Sequence, residues 1–321
     1  MSSELILKNL GYSNLRILGS GSYGSVFGCT SASGAEVAVK ISFGREADAT
    51  EREAAVMALI PPHPNVLSAV DFQSEATHTV LAMPLATGGD TLKFMMERNC
   101  TPLAESEVRG LFSQLLDAVE HIHRNGIVHR DIKCENLLLT GARRRHLLLA
   151  DFGFAAHFKP SQKLSESLGS LHYSAPEIVN QVAYDGTAVD VWSMGVVLFA
   201  WATGRLPFGG ATEAETEARI RAGVFAVPHS LSPELAALIH GMLTVDPAKR
   251  LTVADIRNSP WMATEAPAQG HTRSNSEPSV LVAPAVATKK PLASSSADKA
   301  ANKKPAHSLR AALRGLFKAN K

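Results

Sequence analysis

The chain has 321 residues, 45% of them apolar, so it can form a globular domain with a sizeable core. Its 32 basic and 30 acidic side chains nearly cancel, so the overall charge demands neither nucleic acid nor a membrane as partner. The three cysteines are too few and too scattered for a disulfide framework or a zinc site. We therefore expect a monomeric globular protein of a reducing compartment that does not bind nucleic acid.

The N-terminal residues carry no basic segment followed by an apolar one, so they predict no secretory signal. The most apolar stretch, 191–202, falls short of the roughly 20 residues that span a membrane and predicts a buried helix instead. We expect a cytoplasmic protein, with the nucleus as a second compartment.

The order of the predicted elements indicates an α+β fold with two lobes and a cleft between them. Short β segments at 15–18, 25–30 and 36–42 come first, with a helical pattern at 48–60. From Glu105 onward, apolar residues recur at helical spacing. The predicted organisation is an N-terminal extension at 1–13, a domain at 14–263 with lobes at about 14–85 and 86–263, and a disordered Ala-, Pro-, Ser- and Lys-rich tail at 264–321.

The stretch GSGSYG, residues 19–24, fits G-x-G-x-x-G, a spacing that dinucleotide-binding folds also use. Here an alternating strand pattern at 25–30 follows the last glycine where a dinucleotide-binding unit would have a helix. The pattern therefore predicts a glycine-rich loop between two hairpin strands, whose backbone N–H groups can approach phosphates. The alternative is a tight hairpin with no ligand.

Lys40 lies in a strand whose other residues favour burial. Because a buried ammonium group is costly without an anion, Lys40 requires a carboxylate partner. We expect Glu53, which precedes an inward-facing apolar pattern, with Glu51 as the second choice. This ion pair would direct Lys40 toward the phosphates of a nucleotide.

Five motifs in one order resemble the eukaryotic protein kinases from about residue 14 to 262. The stretches HRDIKCENLLL, DFGFA, YDG at 184–186 and DVWSMGVVL are similar to the calmodulin-dependent kinase group of serine/threonine kinases, and most similar to its testis-specific branch. The motifs are GSGSYG at 19–24, AVK at 38–40, HRDIKCEN at 129–136, DFG at 151–153 and APE at 175–177.

This resemblance implies an enzyme that transfers the γ-phosphate of ATP to Ser or Thr hydroxyls of protein substrates. Asp131 would accept the hydroxyl proton, and Lys133 would neutralise the transferring phosphate. Asn136 and Asp151 would hold Mg²⁺ through oxygen atoms. Lys133, two residues after Asp131, is typical of serine/threonine specificity in the family.

The resemblance also implies a nucleotide pocket with Met83 as gatekeeper and with backbone hydrogen bonds from Leu85 and Ala86. Pro84 departs from the expected pattern because it removes one N–H group. Asp90 would lie near the ribose, with a role as helix N-cap equally compatible, and could join Glu135 in meeting a basic residue of the substrate. The expected nucleotide-binding residues are Leu18, Gly19, Gly21, Gly24, Val26, Ala38, Lys40, Met83, Leu85, Ala86, Asp90 and Leu138.

The resemblance also implies two structural contacts in the larger lobe. Glu177 should pair with Arg250, and Asp190 should bind the backbone of the catalytic loop. The spacing between Lys40 and Glu53 departs from the family pattern: it is 13 positions, fewer than the family usually has. We expect the helix that carries Glu53 to be shortened at its start. If it could not swing inward, Lys40 would stay unpaired, which favours the alternative of a pseudokinase scaffold.

The residues before the APE motif indicate how the activity would be regulated. Ser170 corresponds to the family hydroxyl that bonds the catalytic Asp and Lys. Glu166 stands where the regulatory Thr is usual, so its carboxylate could pair with Arg130 without phosphorylation. We expect substantial basal activity, with Ser165 and Ser167 as lesser switches.

The tail contains two candidate interaction sites. RSNSEP at 273–278 resembles a phosphoserine motif bound by 14-3-3 proteins, with Ser276 as the phosphate carrier, although such matches arise by accident as often. Residues 308–319 predict a short basic amphipathic helix that could bind calmodulin or an anionic membrane, or fold back on the domain. A frayed end is the alternative, since so short a helix is marginal in water.

Overall fold

The computed structural model describes residues 2–21, 24–141, 143–159 and 163–263. As predicted, strands dominate the first part of the chain and helices the second. Ser276 and the 308–319 segment lie outside the described residues, so their predicted roles stay predictions.

The smaller lobe contains a five-stranded antiparallel sheet in the order β1-β2-β3-β5-β4. Its first two strands pair up to Gly21 and Gly24, so the glycine-rich loop closes a hairpin as expected. The strands are β1 (Ser13–Gly21), β2 (Gly24–Thr30), β3 (Glu36–Phe43), β4 (Asp71–Ser74) and β5 (His78–Pro84).

Helix α1 (Ser3–Asn9) precedes the sheet and was not predicted from the sequence. Ser2 caps it, and Ile6 and Leu7 are buried in one apolar cluster with Phe27 of the sheet. Residues that the sequence predicts as a simple extension therefore include a helix docked on the smaller lobe.

Helix α2 (Arg45–Met57) begins one residue after β3, three residues earlier than the pattern at 48–60 predicts. Gly44 makes this abrupt connection with φ 56°, a conformation that glycine adopts readily. A buried hydrogen bond of 2.8 Å between Ser42 and Thr50 ties the helix to β3. The short link therefore brings the inner face of α2, including Glu53, against the sheet.

The larger lobe is mainly helical, with four short strands that form two-stranded ladders. The remaining helices are α3 (Thr91–Glu97), α4 (Glu105–Arg124), α5 (Pro176–Val179), α6 (Gly186–Thr203), α7 (Glu213–Ala222), α8 (Pro233–Met242), α9 (Val253–Arg257) and α10 (Pro260–Ala263). The strands are β6 (Ile127–Val128), β7 (Leu137–Thr140), β8 (His146–Leu149) and β9 (Ala156–His157), and single 3₁₀ turns occupy Cys134–Asn136 and Leu171–Tyr173.

Helix α6 is the centre of this lobe. By length and composition alone it could cross a membrane, but 78% of it is buried inside the domain. Asp185 caps its start and Gly204, in the left-handed conformation, ends it. It is the buried core helix that the apolar stretch at 191–202 predicts.

Candidate active site

The glycine hairpin lies beside the strand that carries Lys40 in the same sheet. Val26 of β2 is paired with Lys40 of β3. Gly24 has φ 106°, and a Cβ atom there would lie 2.4 Å from the carbonyl oxygen of Ile41. Only glycine allows the two strands to approach so closely at the end of the hairpin.

Lys40 and Glu53 are paired, as the sequence predicts. The Lys40 Nζ atom donates to Glu53 Oε2 at 2.6 Å, and both side chains are largely buried. Burial raises the pKa of Glu53 above its usual value; the Lys40 charge opposes this rise, and nearby Asp151 adds to it. The backbone N–H group of Phe152, in the DFG motif, also opposes the rise of the Glu53 pKa.

Backbone pairing connects the residues expected around the nucleotide. Ala38 is paired with Met83, which is buried, and Asp90 forms an isolated bridge with Leu138. Asp90 is the predicted N-cap, accepting from the Lys93 N–H group at 2.7 Å. Of the other residues expected to bind the nucleotide, Gly19, Gly21 and the exposed Leu18 lie on the β1–β2 hairpin. Leu85 and Ala86 are half-buried and follow β5.

Asp131 is the centre of a hydrogen-bonded cluster in the catalytic loop. Lys133 Nζ donates to its Oδ2 atom at 2.7 Å, and Ser170 Oγ donates to its Oδ1 atom at 3.3 Å. Lys133 also donates to Ser170 at 3.0 Å, so the predicted bridge is present. The Asn136 amide donates to the Asp131 backbone oxygen at 2.8 Å and to Oδ2 at 3.1 Å, which fixes its orientation.

Asp190 of α6 fixes the backbone of the catalytic loop. It accepts from the backbone N–H groups of His129 at 2.9 Å and Arg130 at 2.8 Å, which is the bracing predicted from the sequence. Burial by itself would raise the pKa of Asp190, but the hydrogen bond and charge of His123, together with His129, hold the pKa below its usual value. The carboxylate therefore stays ionised inside the core.

Asn136 and Asp151 offer oxygen atoms that fit Mg²⁺. The β7–β8 ladder and a 2.9 Å hydrogen bond from the Ala150 N–H group to the Asn136 carbonyl oxygen bring the segments that carry Asn136 and Asp151 together. Since the Asn136 amide nitrogen is used by Asp131, its amide oxygen is left as an acceptor. Asp151 is exposed and accepts from Gly153 at 3.3 Å, so its carboxylate retains further ligand capacity.

Glu166 pairs with Arg130, as its position predicts, at 2.6 Å between Oε2 and Nη1. The Tyr184 hydroxyl donates to the Glu166 backbone oxygen at 2.9 Å, and Arg130 Nε donates to the Phe154 oxygen at 2.7 Å. Arg130 thus joins the catalytic loop to two points of the segment between the DFG and APE motifs, Phe154 at its start and Glu166 further along. Ser167 follows Glu166 directly, and its hydroxyl donates to the Ile178 backbone oxygen at 3.4 Å.

The predicted pair of Glu177 and Arg250 is a buried, bidentate contact. Arg250 donates to the two carboxylate oxygens at 2.7 and 2.9 Å and also to the Ala188 oxygen. This arrangement anchors the APE motif to the larger lobe.

The profile of the protein kinase domain family matches residues 12–262. The chain belongs to the protein kinase family. Serine/threonine-protein kinase SIK1 of Rattus norvegicus is 37% identical over 235 residues, which cover 72% of this chain and 30% of that protein. Probable serine/threonine-protein kinase MARK-A of Dictyostelium discoideum is 39% identical over 214 residues, covering 67% of this chain and 20% of that protein.

The chain therefore spans under a third of the length of these curated relatives. They support the predicted kinase superfamily and a group like the calmodulin-dependent kinases. Neither is a testis-specific kinase by name, so that branch stays a prediction.

Two residues of this kinase site were missed in the sequence. His123 donates to Asp190 at 2.7 Å, and Tyr184 joins Glu166 to Arg130. Tyr184 belongs to the YDG stretch that marks the kinase group, which was an available signal. His123 lies on the long α4 pattern, where no local feature separates it from the neighbouring His121.

Proposed function

We propose that the chain is an ATP- and Mg²⁺-dependent serine/threonine kinase that phosphorylates protein substrates. The observation that carries this proposal is the cluster in which Ser170, Lys133 and Asn136 all bond to Asp131. The names of the relatives and the position of Lys133 support Ser and Thr as acceptors.

Asp131 is the group that orients the substrate hydroxyl and accepts its proton. Lys133, held on Asp131 and Ser170, supplies positive charge where negative charge develops on the transferring phosphate. Lys40, aimed by Glu53, binds the phosphates of the substrate ATP. Bound by Asn136 and Asp151, Mg²⁺ would neutralise phosphate charge.

The test is transfer of labelled phosphate from ATP to a basic serine peptide by the full chain with Mg²⁺. We expect Asp151→Asn to reduce transfer by at least about a hundredfold, since it removes a metal ligand at the reacting phosphate. Asp246→Asn, which changes an exposed carboxylate of the same lobe, should retain activity. Equal transfer by Asp151→Asn and the unchanged chain would contradict the proposal.

The second candidate, a pseudokinase scaffold, rested on the short link from Lys40 to Glu53. The observed 2.6 Å contact between these residues removes the reason for expecting an unpaired Lys40. The same assay distinguishes the two, because a scaffold would transfer no phosphate.

We further propose that the Glu166 carboxylate gives the enzyme substantial basal activity without an upstream kinase. Its support is the 2.6 Å contact with Arg130. We expect Glu166→Ala to reduce the basal rate several-fold, and Ser165→Ala and Ser167→Ala to have smaller effects. Unchanged activity in Glu166→Ala together with abolished activity in Ser167→Ala would contradict the idea.

Preference for a basic substrate residue is proposed from Asp90 and Glu135. The Asp90 carboxylate already accepts a hydrogen bond as the N-cap of α3. The exposed Glu135 is therefore the better candidate to contact a basic residue of the substrate. The roles of phosphorylated Ser276 toward 14-3-3 proteins, of 308–319 toward calmodulin or anionic membranes, and of the cytoplasm and nucleus as locations are likewise proposals from the sequence pattern.

A further inference from the structure

An open groove of 560 Å³ on the larger lobe shares no residue with the site described above. It lies where the chain leaves α6 and where it leaves α7. Apolar side chains form its floor and edges, and two arginines stand beside them. The residues that characterise it are Phe199, Arg205, Leu206, Arg219, Val224 and Phe225.

The floor of the groove is built on fixed aromatic packing. The Phe225 ring lies edge-on to Phe199 at 5.9 Å and to Phe208 at 5.6 Å, and it also contacts His240 at 4.9 Å. Phe208 in turn stacks on the buried Trp192. A rigid apolar floor of this kind can receive a bulky side chain without reorganisation.

The edges of the groove expose apolar surface to water. Val224 is 66% exposed and Leu206 is 38% exposed, although both are large apolar residues. Exposed apolar side chains that gather around one concavity are typical of an interaction site, whereas scattered ones are not.

The two arginines make the groove electropositive. Arg219 donates to the Gly209 backbone oxygen, and Arg205 reaches the Ala226 backbone oxygen at 3.5 Å. Within the described parts of the chain, neither has a carboxylate partner. Because a guanidinium group has five N–H donors, both keep capacity for an anion.

Two acidic side chains of α7, Glu215 and Glu217, have partners of their own. Glu215 accepts from the Ala211 N–H group at 2.7 Å, and Glu217 pairs with Arg221 at 2.9 Å. Neither lines the groove, so they leave its two arginines available to an outside carboxylate.

We propose that this groove docks an acidic segment of a partner protein, with a bulky apolar side chain on Phe225 and an Asp or Glu carboxylate on Arg205 and Arg219. The chain's own tail is a poor occupant, because lysines and arginines outnumber acidic residues after Ala263. Docking does not depend on phosphate transfer, so the inference goes beyond the proposed kinase activity.

The experiment selects peptides from a random-sequence library on the full chain and discards those that also bind the Val224→Asp variant. The remaining peptides are labelled and their affinities measured by fluorescence anisotropy. We expect them to combine Asp or Glu with Trp, Phe or Leu, and to bind more weakly as salt increases. Reversing both charges, in Arg205→Glu with Arg219→Glu, should weaken binding about tenfold or more.

Arg143→Glu with Arg145→Glu is the matched control, since both residues are exposed on the same lobe outside the groove. Circular dichroism and transfer to a short peptide substrate verify that each variant is folded. The proposal is overturned if no peptide distinguishes the chain from Val224→Asp, if the selected peptides lack acidic residues, or if the groove and control variants bind equally. Binding of anionic phospholipid vesicles through these arginines, without peptide binding, would also overturn it.

Discussion

The Ser170 hydroxyl is a small group in a critical position, between the Asp131 carboxylate and the Lys133 ammonium. A hydrogen bond to a charged group contributes about 1.5–3 kcal/mol, and about 1.4 kcal/mol is a factor of ten. We expect Ser170→Ala to lower kcat roughly tenfold or more with little change in KM for ATP. Steady-state kinetics provide the measurement, and Ser230→Ala, at an exposed position of the same lobe, is the control. A kcat equal to that of the control would show that the bridge has no role.

Cys134 lies inside the catalytic loop but should be chemically inert. Burial raises the pKa of its thiol to about 11, so little thiolate forms at neutral pH. Cys29 is also buried, whereas Cys100 is exposed. In the native protein, iodoacetamide should modify Cys100 and leave the other two intact, as mass spectrometry of tryptic peptides would show. Early modification of Cys134 in the folded chain would contradict the buried, protonated thiol.

At the scale of elements, the start of α2 depends on one glycine. Gly44 has φ 56° and ψ −128°, and open space surrounds the position of a Cβ atom. The cost of Gly44→Ala is therefore backbone strain of about 1–3 kcal/mol and not a clash. Gly110 within α4 is surrounded by equally open space, but Gly110→Ala should stabilise the protein by about 0.5–1 kcal/mol. Urea unfolding should give changes of opposite sign, and two changes of the same sign would refute this account.

The contact between the segment after α2 and helix α4 should weaken in acid. His63 stacks on His121 at 4.6 Å and accepts from the Asn65 N–H group at 3.1 Å through Nδ1. Burial and the neighbouring His121 lower the pKa of His63, although Asp117 opposes them. The folded chain thus favours neutral His63, and protonation would remove the hydrogen bond to Asn65.

The unfolded chain therefore binds a proton at this histidine more readily than the folded chain does. The contribution of His63 to stability is present above the unfolded pKa of about 6.5 and is lost as pH falls through the lowered folded pKa. Urea midpoints measured from pH about 7.5 to about 5.5 should fall less steeply for His63→Gln than for the unchanged chain. His229→Gln, at an exposed position, should keep the original slope. Identical slopes for all three proteins would exclude this linkage.

At the scale of the whole molecule, the buried pair of Glu177 and Arg250 connects two distant parts of the larger lobe. Glu177→Ala would leave the Arg250 charge buried without its carboxylate, at a cost of about 3–5 kcal/mol. The exposed pair of Asp246 and Lys249, 3.6 Å apart, should contribute less than about 1 kcal/mol. Guanidinium unfolding of Glu177→Ala and Lys249→Ala tests this difference, and similar losses in both would contradict it.

The predicted contacts that the structure contains connect residues of recognisable motifs. Lys40 with Glu53, Ser170 with Asp131, and Glu166 with Arg130 were each expected because a motif supplies both the charge and its place in the fold. The Lys40 prediction also had a physical basis, since a buried ammonium requires an anion. The expected obstacle at the short link did not arise, because Gly44 turns the chain within one residue.

Features without a motif could not be predicted in this way. Helix α1 has only seven residues, too few for a distinct periodicity, and it is stabilised by burying Ile6 and Leu7 against the sheet. His123 is one of two histidines on α4, and its contact with Asp190 depends on the packing of α4 against α6. The groove around Phe225 combines residues that lie in, or just after, two different helices.

The sequence by itself determined the kinase family, the order of strands and helices, and the identity of the groups around Asp131, because these depend on local patterns and short motifs. Only the tertiary structure decided whether α2 reaches Lys40, which partners hold Asp190 and Glu166, and where two arginines meet an apolar floor. Such contacts depend on how segments far apart in the chain pack together, and the free energy of that packing is not expressed in any single stretch of residues.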